Sequence, residues 1–366
     1  MSNDYQVWLT DTDGYREYDL SAFTSLEYGR KLNEVTWCQL EIDNPDIFPL
    51  LAVDRRIVII KSIDGGAPFL AGETCWFLRK WKRTTKRGMS KITMWGASAN
   101  YLLSGREILY AAGSAQAKKS AKKPDVILGE IVTENLGSGA VAGRNLSTWL
   151  TVTAIAGSGT NISKSFAWRE VTKTMQEIVD LAAQNSQYLF YDMLYNADTR
   201  LFTFQTYTAQ RGTDRTSGSA NPVIFSADRN LDDIEEMFDY SNEVTAAIGL
   251  GKGEAAQRAT NEQTDAARIA LSPFGRREKA KDATSADTPT ELIDESKAVL
   301  REGLPVKNFG ATLLEIGYSF DLDYFWGDRV TLVDAEGAAH HCFVDSYTIR
   351  LEQGREDVKT TTKEIQ

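Results

Sequence analysis

Polar and apolar residues alternate along this chain with two different periods. In "WCQLEID", residues 37–43, Cys38, Leu40 and Ile42 fall on one side and Gln39, Glu41 and Asp43 on the other. Successive side chains of a strand point to opposite faces, so this period predicts a half-buried strand. "RRIVIIKSIDGGAPFLAG", residues 55–72, reads as a strand, a Gly-Gly turn and the start of another strand. "KITMWGAS", residues 91–98, alternates again. Short strands at roughly ten-residue spacing predict a small antiparallel barrel or sandwich over residues 1–105.

The period then changes. "PDVILGEIVTENLG", 124–137, predicts a short helix closed by Gly137. In "SFAWREVTKTMQEIVDLAAQNS", 165–186, Val171, Met175, Ile178 and Ala182 form one stripe at helical spacing. "YLFYDMLYNADTRLFTFQTYT", 188–208, predicts a hairpin turning near Asn196–Thr199. Residues 106–235 therefore read as an α+β module. The basic "KKSAKK", 118–123, reads as a mobile loop.

In residues 236–310, "YSNEVTAAIGLGKGE" holds a strand, and 254–288, charged and poor in large apolar groups, reads as a long surface excursion. "TPTELIDESKAVLREG", 288–303, has Pro early, acids in the first turn and Gly at the end, which marks a helix. Residues 311–366 return to β. Leu314, Ile316, Tyr318 and Phe320 alternate, and so do Tyr347, Ile349 and Leu351 farther on. The fold class expected is α+β and mainly β.

"VDRRIVIIKSIDGG" (53–66) is weakly echoed by "GDRVTLVDAEGA" (327–338). Each is followed by a Cys-aromatic step, Cys75-Trp76 and Cys342-Phe343. A true repeat implies two related β modules flanking the α+β region.

Composition narrows the class. With 366 residues the chain is long enough for several domains. No apolar run approaches the ~18 residues of a membrane span, and the start shows no signal peptide, so cytoplasmic assembly is expected. The three cysteines form no C-x-x-C pair and read as small buried thiols. The net charge of −10 opposes general nucleic-acid binding.

Candidate chemistry is sparse. His340 and His341 are adjacent, so on a strand they point apart and suit no shared metal. There is no HExxH, GxSxG, Walker loop or GxGxxG. No enzyme activity, cofactor or metal is expected. "FDLDYFWGDRVTLVD", 320–334, sets Asp321, Asp323 and Asp328 beside Trp326. This pattern suits a carbohydrate or calcium site, or a turn leading into a strand. The bland reading makes Tyr324, Phe325, Trp326, Gly327 and Asp328 a barrel corner or a subunit contact. "RKWKRTTKRGMSK", 79–91, holds Arg79, Lys80, Lys82, Arg83, Lys86, Arg87 and Lys91 around Trp81. It reads as a solvated hairpin tip, a patch docking on an acidic partner, or a nucleic-acid contact.

The ordered set "SLEYGRKLNEVTWCQLEI", "FLAGETCWFLRKWKR", "ITMWGASANYLLSGR", "FYDMLYNADTRLFTFQTY" and "YFWGDRVTLVD" resembles the tail-hub proteins of long-tailed bacteriophages. The resemblance covers most of the chain and lies in the order of loose motifs. It implies two tube-like antiparallel β-barrels per subunit, flanking or interleaved with smaller α+β modules. The first barrel would take residues 1–105 and the second 236–310, with a helical insertion, and 311–366. It implies a homotrimer whose six barrels form a pseudo-sixfold ring on the tail tube. The implied neighbours are a distal tail protein, the tape-measure protein and a central fibre or receptor-binding protein. DNA would pass through without specific binding, and the chain would not insert into a membrane. The place implied is the virion tail tip. Any fibre, peptidase or lysozyme activity is expected on another chain.

Overall fold

The computed structural model describes residues 3–109, 117–166, 168–185, 187–314 and 316–364. The fold is mainly β, and among the described residues three α-helices are longer than one turn: Pro124–Asn135, Val171–Gln184 and Pro289–Glu302.

A twelve-stranded sheet carries both ends of the chain. Its path runs Ile224–Ser226, Arg329–Val333, Ala339–Glu352, Ser25–Lys31, Trp37–Ile42, Met89–Ser98, Trp76–Lys86, Arg56–Ile63, Asn3–Thr10 and Arg16–Asp19. Arg355–Glu364 also pairs with Ala339–Glu352, and Phe69–Leu70 with Arg56–Ile63. Among the described residues no pairing joins the two ends of this path into a closed barrel.

The long strand Ala339–Glu352 is the seam. Its first part, Ala339–Phe343, pairs with Arg329–Val333. Its second part, Ser346–Glu352, pairs with Ser25–Lys31 from the other end of the chain. The register sets Tyr347 opposite Arg30 and Leu351 opposite Leu26. Tyr347, Ile349 and Leu351 are buried while Thr348, Arg350 and Glu352 are exposed, so the alternation of the sequence is realised. Gly29, opposite Thr348, is required by this approach: a Cβ there would lie 2.1 Å from the Tyr347 carbonyl oxygen.

The main core is continuous across the seam. Val7, Leu26, Leu40, Ile57, Trp76 and Met94 pack in one cluster with Phe225, Val330, Leu332 and Ile349. A second core lies between the first two helices and the hairpin Leu189–Tyr195/Phe202–Thr208. Val171, Met175, Ile178 and Ala182 are fully buried there, as their spacing predicts. Asn196 Oδ1 accepts from the amides of Asp198 and Thr199 and so closes the hairpin turn.

Three expectations change. Residues 117–122 are a strand paired with Ile162–Phe166, not a mobile loop. Their lysines are held by acids: Lys118 by Asp287, Lys119 by Glu134, Lys122 by Glu130. The loop expectation fails because this strand is fixed by charge rather than by apolar alternation. Residues 254–288 are also more ordered than a surface excursion. Thr260–Thr264 and Glu278–Asp282 flank Ala246–Leu250 in a small sheet under the Pro289–Glu302 helix. Third, the alternating positions 316–320 form no strand. The strand lies upstream, at Val306–Leu313, and Gly317 turns the chain at φ +89°. Ile316 is half exposed while Phe320 is buried.

Candidate functional site

The basic segment lies on a two-stranded projection. Trp76–Lys86 and Met89–Ser98 pair from Trp76/Ser98 out to Lys86/Met89. Arg87 (φ 52°) and Gly88 (φ 80°) form the two-residue turn. Two left-handed residues match the twist of a tight hairpin, and glycine adopts this at no steric cost. The neighbouring strands pair only with the base, at Phe77 and Trp76 on one side and up to Ile92 on the other. The outer part of the hairpin therefore extends past the sheet.

Its seven cations divide into two groups. Arg79 pairs with Asp54 and lies over the Tyr101 ring, Lys80 lies over Trp95, Arg83 over Phe48, and Lys91 pairs with Glu41. Lys82, Lys86 and Arg87 are exposed and make no ion pair among the described residues. Trp81 is half buried against the main core, so it offers no free ring.

The second candidate cluster is the turn before Arg329–Val333. Tyr324 and Trp326 are buried and Phe325 is 40% exposed. Gly327 has φ +85°, and a Cβ there would meet Arg211 Cβ at 2.8 Å. Asp328 is buried, and both of its carboxylate oxygens accept internal hydrogen bonds. Its Oδ1 accepts from the Thr213 amide (2.6 Å), and its Oδ2 from Arg215 Nε (2.6 Å) and the Phe325 amide (2.9 Å). These bonds hold the turn to Thr213 and Arg215. Asp323 accepts from the Ser319 amide, and Asp321 pairs with buried Lys61. Burial pushes the Asp321 carboxyl above its ordinary range, and Lys61 partly offsets this.

A buried charge network underlies this corner. Asp192 receives Arg30 at 2.5 Å and Arg211 at 2.9 Å. Both guanidiniums lie over the Trp326 ring, 4.7 and 3.8 Å from its centroid. Arg30 also donates to the Gly72 carbonyl. Burial pushes Arg211 down, but Asp192 and Glu73 outweigh burial and hold it above its ordinary value. An open groove of about 650 Å³ borders the network, lined among others by Phe69, Glu73, Arg211, Phe325 and Trp326. None of the seven hairpin cations lines it.

Sequence reading missed Arg30, Lys61, Asp192 and Arg211. Arg30 shares the alternating face of Leu26 and Tyr28 in "LEYGRK", and Asp192 interrupts the apolar "LFYDMLY", which is the one signal the sequence offers. Among the described residues no group of three or more His, Cys, Asp and Glu is placed to hold a metal. His340 lies between Asp334 and Glu364, whereas His341 meets Thr331.

A family model described as Siphovirus ReqiPepy6 Gp37-like protein matches residues 6–362. The chain belongs to this family. The fold is shared with solved phage tail proteins over nearly the whole of each chain. The tail protein from Neisseria meningitidis MC58 is 11% identical, with a TM-score of 0.61 over 100% of this chain and 97% of that one. The 43 kDa tail protein of prophage MuSo2 from Shewanella oneidensis is 10% identical, with a TM-score of 0.59 and 98% of each chain covered. The prophage tail protein gp18 from Listeria monocytogenes EGD-e is 11% identical, with a TM-score of 0.55, covering 98% of this chain and 94% of that one. The search of curated proteins finds no match. At such identities the likeness speaks for the fold, and the family match for membership.

Proposed function

We propose that this family member is a structural tail-hub protein, a trimer forming a pseudo-sixfold ring at the distal end of a phage tail or related particle. The observation that carries the reading is the seam. Ser346–Glu352 and Ser25–Lys31 hydrogen-bond the two ends of the chain into one sheet over one core. A subunit that presents two β modules as a rigid pair can meet a sixfold tube with threefold symmetry. The likeness of fold to tail proteins over their full length supports it. In this reading the chain has no enzymatic task; the residues that would have carried one at the Trp326 corner are engaged in internal bonds. Its partners are a distal tail protein, the tail tube, the tape-measure protein and a central fibre or receptor-binding protein, and Phe325 with the groove beside it offers a contact. The acidic balance suits a ring through which DNA passes without being held.

Native mass measurement and electron imaging of the purified chain test this. A ring of three copies is expected. Monomers alone, even with the tail partners present, would overturn it.

A further inference from the structure

The strand Leu231–Asp239 is the acidic counterpart of the basic hairpin. Residues 231–240 carry Asp232, Asp233, Glu235, Glu236 and Asp239 and no basic residue. Residues 79–91 carry seven basic residues and no acid. Among the described residues no ion pair joins the two segments within the chain.

Both segments are sheet edges. Leu231–Asp239 pairs with Val306–Leu313 alone, in a two-stranded sheet, so its other edge is unpaired among the described residues. The outer part of Trp76–Lys86 pairs only with its own hairpin partner. An unpaired edge is a ready template for another strand, and natural proteins normally blunt such edges. The strand and the residue after it also expose apolar side chains. Ile234, Met237, Phe238 and Tyr240 are 37%, 40%, 51% and 54% exposed, and Met89 at the hairpin tip is 75% exposed. Exposed apolar groups in a segment that carries one sign of charge mark a contact surface rather than a solvated one.

We propose that the basic hairpin of one copy docks on the Leu231–Asp239 edge of the next copy, as the head-to-tail contact that closes the ring. The inference rests on the ring reading and adds its interface. Lys82, Lys86 and Arg87 meet the acids of the strand, and Met89 covers its exposed apolar residues. Such a contact joins two different patches, so it propagates from copy to copy and ends only where the rotation closes. Opposite charges across paired strands favour the right register, and like charges oppose it.

Charge reversal on the full chain tests it, read by native mass measurement and sedimentation at low and physiological salt. The variants are Lys82→Glu with Lys86→Glu, Glu236→Lys with Asp239→Lys, and all four together. The first two should each weaken assembly roughly a hundredfold. The four-fold variant should restore it, which a folding defect would not do. A native ring that survives both double reversals overturns the docking contact alone. So does a four-fold variant that stays monomeric while its circular dichroism matches the native chain. A native chain that stays monomeric at every concentration, with the tail partners present as well, overturns the contact and the ring reading together.

Discussion

Arg30 donates to Asp192 Oδ1 at 2.5 Å with both side chains fully buried, although 162 positions separate them. Arg211 holds the other oxygen of the same carboxylate. One acid thus bridges two cations that lie over Trp326, with Glu73 supplying a second negative charge at Arg211, and it ties the first β module, the central hairpin and the last corner together. Removing one member of a buried ion pair leaves uncompensated charge in a medium that solvates it poorly, at about 3–5 kcal/mol. Asp192→Ala should lose stability on that scale in urea denaturation. A loss below about 1 kcal/mol would show that the two arginines reach water or another acceptor.

How much of this was legible beforehand follows the type of force. Cys38, Leu40 and Ile42, or Val171, Met175 and Ile178, are buried because periodicity places them on an inward face, and periodicity is local. The seam is not local. Nothing in "LEYGRK" names "SYTIRLE" as its neighbour. Buried charges are the opposite of the pattern that predicts a core, so Lys61 is not singled out, and Arg30 and Asp192 show only through the phase they share with apolar neighbours. Asp328 was read as part of a corner, but its partners Thr213 and Arg215 lie more than a hundred positions away.

Gly29 sits where the two ends of the chain touch. A methyl group there meets the Tyr347 carbonyl and Thr348 Cα, and backbone yields less readily than a side chain. Gly29→Ala should cost about 1–3 kcal/mol, the scale of overpacking. Hydrogen exchange should quicken first at Ser346–Glu352. Exchange that accelerates evenly over the whole sheet would contradict a local opening of the seam.

The three thiols are buried, and burial pushes each one up, Cys75 and Cys342 to about 12. At pH 8 roughly one such thiol in ten thousand is ionised, and only the thiolate reacts readily. A thiol reagent should therefore find no rapid phase in the native chain and three equivalents after denaturation. Rapid modification of even one cysteine in the folded state would show that a strand opens to solvent.

Burial pushes His340 down, but its hydrogen bonds to Asp334 and Glu364 outweigh burial and hold the imidazole above its ordinary value. A raised folded pKa stabilises fully below the unfolded value of about 6.5 and loses that contribution as pH rises through the folded one. Asp334 is held below its ordinary range by the same bond, so the contribution also falls away when acid protonates that carboxylate. The melting temperature of the native chain should exceed that of His340→Gln most in mildly acidic buffer. The gap should narrow toward alkaline pH and with added salt. A gap independent of pH would assign His340 a packing role instead.

The hairpin should not retain DNA, despite its seven cations. Binding to single strands combines phosphate contacts with aromatic rings on which bases stack. Here Trp81 is packed on the core and the Trp95 ring lies under Lys80, so no stacking platform remains. Arg79 and Lys91 already face acids of their own chain, and the net charge of −10 repels phosphate at longer range. A shift assay with single- and double-stranded DNA should show no complex at physiological salt and at most weak retention in very low salt. A complex that persists at physiological salt, and disappears in the Lys82→Glu/Lys86→Glu variant, would make the hairpin a nucleic-acid contact and remove it from the subunit interface.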